Sequence, residues 1–172
     1  MRLALGLLLL QLGLALQAAP ADALRRGNGP EPSTLDAHRA QDIASHNILR
    51  DLYCGLVTED AGGQLIPGMA ERWEVHRDGR EYRFHLRANL RWSNGEALSA
   101  QQIRDSFERA LAAETAGPLA PLFEALRREN DPASSPNIEV VDARTLVFHL
   151  RRPAPLLKLL TLPTALPVYL PG

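Results

Sequence analysis

The stretch Gly68–Gly95, GMAERWEVHRDGREYRFHLRANLRWSNG, decides the fold class. Trp73 and Val75 approach Arg77-Asp78-Gly79, after which Tyr82, Phe84 and Leu86 alternate with Arg83, His85 and Arg87. Asp-Gly favours a turn because glycine takes positive φ without steric cost. Period-two apolar residues on both sides convert that signal into a β-hairpin. Alternation sends Tyr82, Phe84 and Leu86 to a buried face and leaves Arg83, His85 and Arg87 on a wet one. Arg91-Trp92-Ser93-Asn94-Gly95 then makes a second turn that carries an aromatic ring.

The same pattern recurs downstream. Asp142–Arg151 matches Asp78–Arg87 at six of ten positions, and Ile138–Val141, Asp142-Ala143 and Thr145–Leu150 read as another hairpin with His149 on its wet face. Two hairpins obeying one set of local rules account for the echo, with a duplication as the alternative. Between them, Ser99 and Gln102 have the spacing of a capping box. Ile103, Phe107, Ala110 and Leu111 continue it as a buried helical stripe. Gly117-Pro118 ends that helix, a second helix covers Leu119–Arg128, and Asn130–Asn137 is a turn-rich loop. Upstream, Ala23–Gly29 reads as a short strand and glycine-rich turn. Ser45 caps a helix with apolar positions Ile48, Leu49, Leu52 and Tyr53, stopped by Gly55. Leu56–Thr58 and Gln64–Ile66 flank Asp60–Gly63 as a small hairpin. Pro153–Leu162 reads as a short helix, and Pro163, Pro167 and Pro171 keep the tail extended.

Composition bounds the function. A chain of 172 residues suits one domain, and its net charge of −1 argues against nucleic acid or an anionic membrane held by bulk electrostatics. Lys158 is the only lysine among 19 basic residues, a usage that points to a GC-rich genome rather than an arginine-specific site. The lone Cys54, inside the apolar run Leu52–Val57, excludes an internal disulfide or a multi-cysteine zinc site and reads as a buried, inert thiol. Arg2, the apolar run Leu3–Leu16 and Ala18-Ala19-Pro20-Ala21 have the anatomy of a cleaved signal peptide, 1–21. A short uncleaved anchor is the alternative. No cysteine follows the run, so a lipid anchor at the mature N-terminus is not expected. His38, His46, His76, His85 and His149 show no metal-ligand spacing. Ser99 is explained as a cap, Glu124, Glu129 and Asp131 are weak acid–base candidates, and no phosphate cradle is present. Nothing supports an enzyme or a cofactor.

One ordered set of residues is more specific. Leu24–Gly29, Ser33–Asp36, Arg50-Asp51-Leu52-Tyr53, Pro67–Glu74, Tyr82–Arg87, Trp92-Ser93-Asn94-Gly95, Ser99-Ala100, Thr145-Leu146, Arg152–Pro155 and Leu162-Pro163-Thr164 resemble the family 5 extracellular solute-binding proteins, the oligopeptide- and dipeptide-binding components of ABC importers. The departures are Cys54 where an acid is usual, Asn89 where an acid is common, and a shortened loop at Asn130–Asn137. The chain also matches only about the first third of such proteins.

The resemblance implies an α/β fold, α+β in the accessory lobe, of the type II periplasmic binding protein kind and incomplete. It implies a start of the main ligand-binding lobe at 22–53, a small β-rich accessory lobe at 54–152 and a return segment at 153–172. It implies a periplasmic monomer with the signal removed near Ala21, an oligopeptide or dipeptide ligand and a membrane permease as partners, and no nucleic acid. Ligand contacts in this portion would come from an extended segment, Gln41, Asp42 and Ile43, offering backbone groups as a strand edge does. Plain surface is the alternative for Arg39, Gln41 and Asp42. The alternative function is a truncated, non-binding remnant or an interaction module.

Overall fold

The computed structural model describes residues 27–127 and 135–170. The signal-peptide reading and most of the Ala23–Gly29 strand and Asn130–Asn137 loop fall outside those residues.

The anticipated hairpin is formed by β3 (Ala70–His76) and β4 (Glu81–Leu86), with Trp73 opposite Phe84 and Val75 opposite Tyr82. The strands are joined by a turn in which Arg77, Asp78 and Gly79 all have positive φ, at 52°, 53° and 80°. Tyr82, Phe84 and Leu86 are buried. The second hairpin, β5 (Ile138–Asp142) and β6 (Thr145–His149), joins the first to give one antiparallel sheet in the order β3-β4-β6-β5. The two inner strands are the echoing ones. They pair with Arg83 opposite Val147, and those two positions are equivalent in the echo. Bonds just beyond the ladder obey the same relation, the Leu86 amide donating to Arg144 O and the Leu150 amide to Arg80 O, both at 2.8 Å.

The helix α2 (Ala100–Leu111) covers one face of this sheet. Its cap is the expected box: Ser99 Oγ accepts the Gln102 amide, and Gln102 Oε1 accepts the Ser99 amide at 3.0 Å. The Trp92 indole also donates to Gln102 Oε1, which ties the Trp92–Gly95 turn to the helix start. Ile103, Phe107 and Leu111 pack with Phe84, Leu86, Leu146 and Phe148 in the main apolar cluster. Phe148 stands edge-on to Phe84 at 5.2 Å and to Phe107 at 5.3 Å between ring centroids.

The small hairpin β1 (Val57–Glu59) with β2 (Leu65–Pro67) forms as expected, its turn held by Asp60, whose carboxylate accepts the Gly62 and Gln64 amides. The chain then doubles back on itself. A Cβ on Gly68 would lie 2.3 Å from Gly55 O, so the close crossing of these two backbones requires glycine there. The remaining elements are the helix α1 (Ile43–Leu52), a short α3 (Leu156–Leu159) and 3₁₀ segments at Ala113–Thr115, Ala120–Leu126 and Pro163–Ala165.

Several sequence expectations are corrected. α1 is capped by Asp42, not Ser45, which is buried with its amide on the Asp42 carboxylate. α2 stops at Leu111, before Gly117-Pro118, and Ala116 adopts a left-handed φ of 50°. The next segment, Ala120–Leu126, is 3₁₀ rather than α, with Pro121 at its start withdrawing an amide donor. The Pro153–Leu162 helix is cut to four residues. His85 and His149 are half-buried rather than fully solvated. Only 20% and 29% of their side chains are exposed, because Glu74 closes to 3.3 Å of His85, and Glu139 to 3.3 Å of His149.

Candidate ligand-facing site

Gln41, Asp42 and Ile43 lie where the turn after Ala40 becomes α1. They do not form an extended edge: Asp42 is the N-cap and Ile43 the first helical residue. The sequence signal was present, because Asp three residues before Ser45 is a strong capping arrangement. Asp42 Oδ1 accepts the Ser45 amide at 2.8 Å and Oδ2 the Ser45 hydroxyl at 2.7 Å, with the Ser33 hydroxyl also on Oδ2. The Ser33 bond first, then those from Ser45, hold this carboxyl far below the usual carboxylate range. Its acceptor capacity is therefore committed to the helix end. Gln41 is exposed, and Ile43 keeps 79% of its surface in solvent.

A part-buried polar cluster around the buried His38 ring sits behind this segment. Arg109 of α2 grips Asp36 through both terminal nitrogens, Nη1 to Oδ1 at 3.0 Å and Nη2 to Oδ2 at 2.5 Å. Arg109 Nη1 also lies 2.7 Å from Nδ1 of His38, a side chain with no exposed surface. The arginine can only donate, so Nδ1 is an acceptor and the ring proton is on Nε2, which donates to Leu166 O at 3.1 Å. Burial first, then the Arg109 charge, depresses the His38 pKa from 6.5 to about 4, against the Leu166 carbonyl and the Asp36 charge. The Arg109 hydrogen bond is the main cause of the lowered Asp36 pKa. No local pattern announces this cluster, since Arg109 and His38 are 71 residues apart.

The other end of α1 borders a groove of about 710 Å³ between Leu52-Tyr53-Cys54, the Arg87–Leu98 segment and Pro167–Tyr169. Its walls include Met69, Leu90 and Trp92, and Trp92 meets Tyr169 edge-on at 5.6 Å. Arg87 is spent on the Gly68 and Pro67 carbonyls and Arg91 on the Gly95 carbonyl, so the rim cations are already engaged. Cys54 is exposed on this rim, which corrects the expectation of a buried thiol. The packed atoms beside it still push its pKa up, which lowers the thiolate fraction of an accessible thiol. None of Gln41, Asp42 and Ile43 lines the groove. A ten-residue helix separates them from it by about 15 Å.

Among the described residues no group of three or more His, Cys, Asp or Glu is placed to hold a metal ion, and no helix is long and apolar enough to cross a membrane. The apolar side chains are unevenly covered. Leu35, Ile43, Leu52, Tyr169 and Leu170 are all at least 38% exposed, and all belong to the segments before Tyr53 or after Leu166. Those segments share a small separate cluster of Ala37, Ala40, Leu49 and Leu166.

Residues 64–171 match the family described as bacterial extracellular solute-binding proteins, family 5 Middle. The probable deoxycholate-binding periplasmic protein YgiS of Escherichia coli (strain K12) is 35% identical over 159 residues, covering 87% of this chain. The periplasmic oligopeptide-binding protein OppA of the same strain is 33% identical, also over 87% of this chain. The structure of Haemophilus influenzae OppA in complex with RPPGFSPFR superposes with a TM-score of 0.75 at 34% identity, over 83% of this chain and 29% of that one. The chain spans only about 30% of the length of the curated relatives it matches. It is a mixed α/β structure that matches part of such proteins, whose work is binding rather than catalysis. The chain belongs to the family 5 bacterial extracellular solute-binding proteins.

Proposed function

We propose that this chain is the N-terminal portion of a periplasmic peptide-binding component of an ABC importer, handing oligopeptides or dipeptides to a membrane permease. The observation that carries the reading is the superposition on an OppA holding a nonapeptide, at 34% identity across most of this chain. In this reading residues 27–53 begin the ligand-binding lobe, 54–152 form the accessory lobe, and 153–170 return toward the first. The split of the core into a main cluster within Leu56–Ala165 and a small one shared by Ala37, Leu49 and Leu166 supports that division. So does the concentration of exposed apolar residues in the first and last segments. Gln41, Asp42 and Ile43 then present backbone groups and the free Gln41 and Ile43 side chains to the peptide, while the Asp42 carboxylate fixes the helix they lead into. A ligand is captured between lobes without covalent chemistry.

The test is a chimera in which residues 27–170 replace the matching segment of Haemophilus influenzae OppA, assayed by calorimetry with RPPGFSPFR. Micromolar or tighter binding is expected for the chimera and none for the 172-residue chain alone. A cooperatively folding chimera that fails to bind would refute the peptide reading. The YgiS likeness makes deoxycholate the control ligand for that outcome.

A further inference from the structure

We infer that the Asp36–His38–Arg109 cluster is an acid-opened latch: protonation of His38 releases the segment bearing α1 from α2 and from the Pro163–Val168 return, while the four-stranded sheet stays folded. The inference concerns this chain alone and does not depend on what the chain binds.

The geometry admits only a neutral ring. Nδ1 accepts from Arg109, and Nε2 donates to Leu166 O with Ser106 Oγ at 3.4 Å as its other neighbour. A second ring proton would be placed on Nδ1, facing an arginine N–H at 2.7 Å, donor against donor and cation against cation. The ring has no exposed surface through which water could solvate that charge. The charged groups facing it are Asp36 on its own turn and Arg109 on α2. The return segment offers only the Leu166 carbonyl to the ring, and Gly117 packs against the His38 backbone carbonyl, where a Cβ would lie 2.7 Å from that oxygen. Asp36 favours the imidazolium only in part, because its charge is already paired with Arg109.

What opens is decided by what else holds the segment. His38 contacts three elements at once, and Ser106 Oγ beside it accepts the Val168 amide at 2.9 Å, so the return segment hangs on the same point. The remaining apolar tie is the small cluster Ala37, Ala40, Leu49 and Leu166, against 21 buried side chains in the main cluster. The sheet and α2 face contain no buried group that gains a proton below neutrality among the described residues. The sign follows from the depressed folded pKa. The open form binds the proton more tightly, so the closed form is fully favoured above 6.5 and loses ground as pH falls toward about 4. The closed-to-open ratio falls on the order of 100-fold across that window. Asp36 and Asp42 have lowered pKa values and stay ionised through most of that window, so neither carries the transition.

The experiment is NMR on the isotopically labelled 172-residue chain from pH 7.5 to 3.5, following the His38 ring and backbone amide exchange together. The result expected is a His38 titration near 4 and a selective loss of protection at Leu49, Tyr53 and Leu166, with Phe84 and Phe148 amides unchanged. His38→Gln, whose amide offers one acceptor and one donor but does not titrate, should abolish the selective acid loss. Arg109→Gln, which removes the facing cation and offers an acceptor to the second ring proton, should raise the His38 titration toward 6.5 and weaken the selective acid loss. Wild-type His38 titrating near 6.5 overturns the proposal, as does acid loss of protection that is uniform across α1 and the sheet. Both readings need no variant to fold.

Discussion

Phe148→Ala tests whether the sheet and α2 share one core through a single ring. Phe148 has no exposed surface and makes edge contacts with Phe84 and Phe107. Burying a phenylalanine removes roughly 200 Å² from water, about 5 kcal/mol at ~25 cal/mol per Å² as an upper value. Alanine retains a small part of that, and the neighbouring rings relax only partly into the gap. The expected loss is therefore about 4 kcal/mol, within the ~3–5 kcal/mol typical of buried Phe→Ala changes. With a urea slope of about 2 kcal/mol per M, the midpoint should fall by about 2 M. Val75→Ala, on a side chain 47% exposed at the far end of β3, should cost no more than about 0.5 kcal/mol. A Phe107→Leu and Phe148→Leu double-mutant cycle should return a coupling of about 0.5–1.5 kcal/mol. The reasoning is refuted if Phe148→Ala costs no more than Val75→Ala, since the ring would then not be central to the core.

Gly68→Ala places a methyl 2.3 Å from Gly55 O, a backbone atom that cannot swing aside, so it should destabilise by about 1–3 kcal/mol in the same urea assay. An unchanged midpoint would mean that the two backbones do not cross this closely. Cys54 should react with a maleimide under native conditions at pH 7.5, but more slowly than in the urea-unfolded chain, because its thiol is accessible and its pKa raised. Labelling that requires urea would return Cys54 to the interior.

The parts of this fold that could be read from sequence are those written in neighbouring residues. Asp78-Gly79, Asp60–Gly63 and Asp142 mark turns within a few positions of alternating strands, and the Ser99–Gln102 box is four residues long. What could not be read depends on distant partners. The run Leu52–Val57 is uniformly apolar, yet Leu52 is 63% exposed and Cys54 sits on a rim, because α1 ends at Leu52 and the chain changes direction there. Helical spacing marked Ile48, Leu49 and Leu52 alike, but only Leu49 finds a neighbour in Leu166. At the candidate site, Asp42 was expected on extended backbone, but its role as an acceptor for Ser45 makes it the N-cap of α1. His38 was one of five scattered histidines until Arg109 and Leu166 met it from 71 and 128 residues away. The echo showed two hairpins and did not show that they would pair with each other.

That pairing carries a consequence for how one chain recognises itself rather than a copy. Because β4 and β6 are near-equivalent, the register that joins them could also join β4 to β4 of a second molecule, with Tyr82 opposite Phe84 and Arg83 opposite Arg83. Two arginines directly opposed would repel. Within one chain the same central position sets Arg83 against Val147. A β6–β6 pairing would set Val147 against Val147 and meets no such penalty, so Arg83 discriminates for only one of the two strands. Arg83→Val would leave the intramolecular ladder with two valines at its centre and remove the charge repulsion that opposes β4–β4 pairing between molecules. A charge at the centre of β4, with none at the centre of β6, thus disfavours self-pairing of the first strand alone.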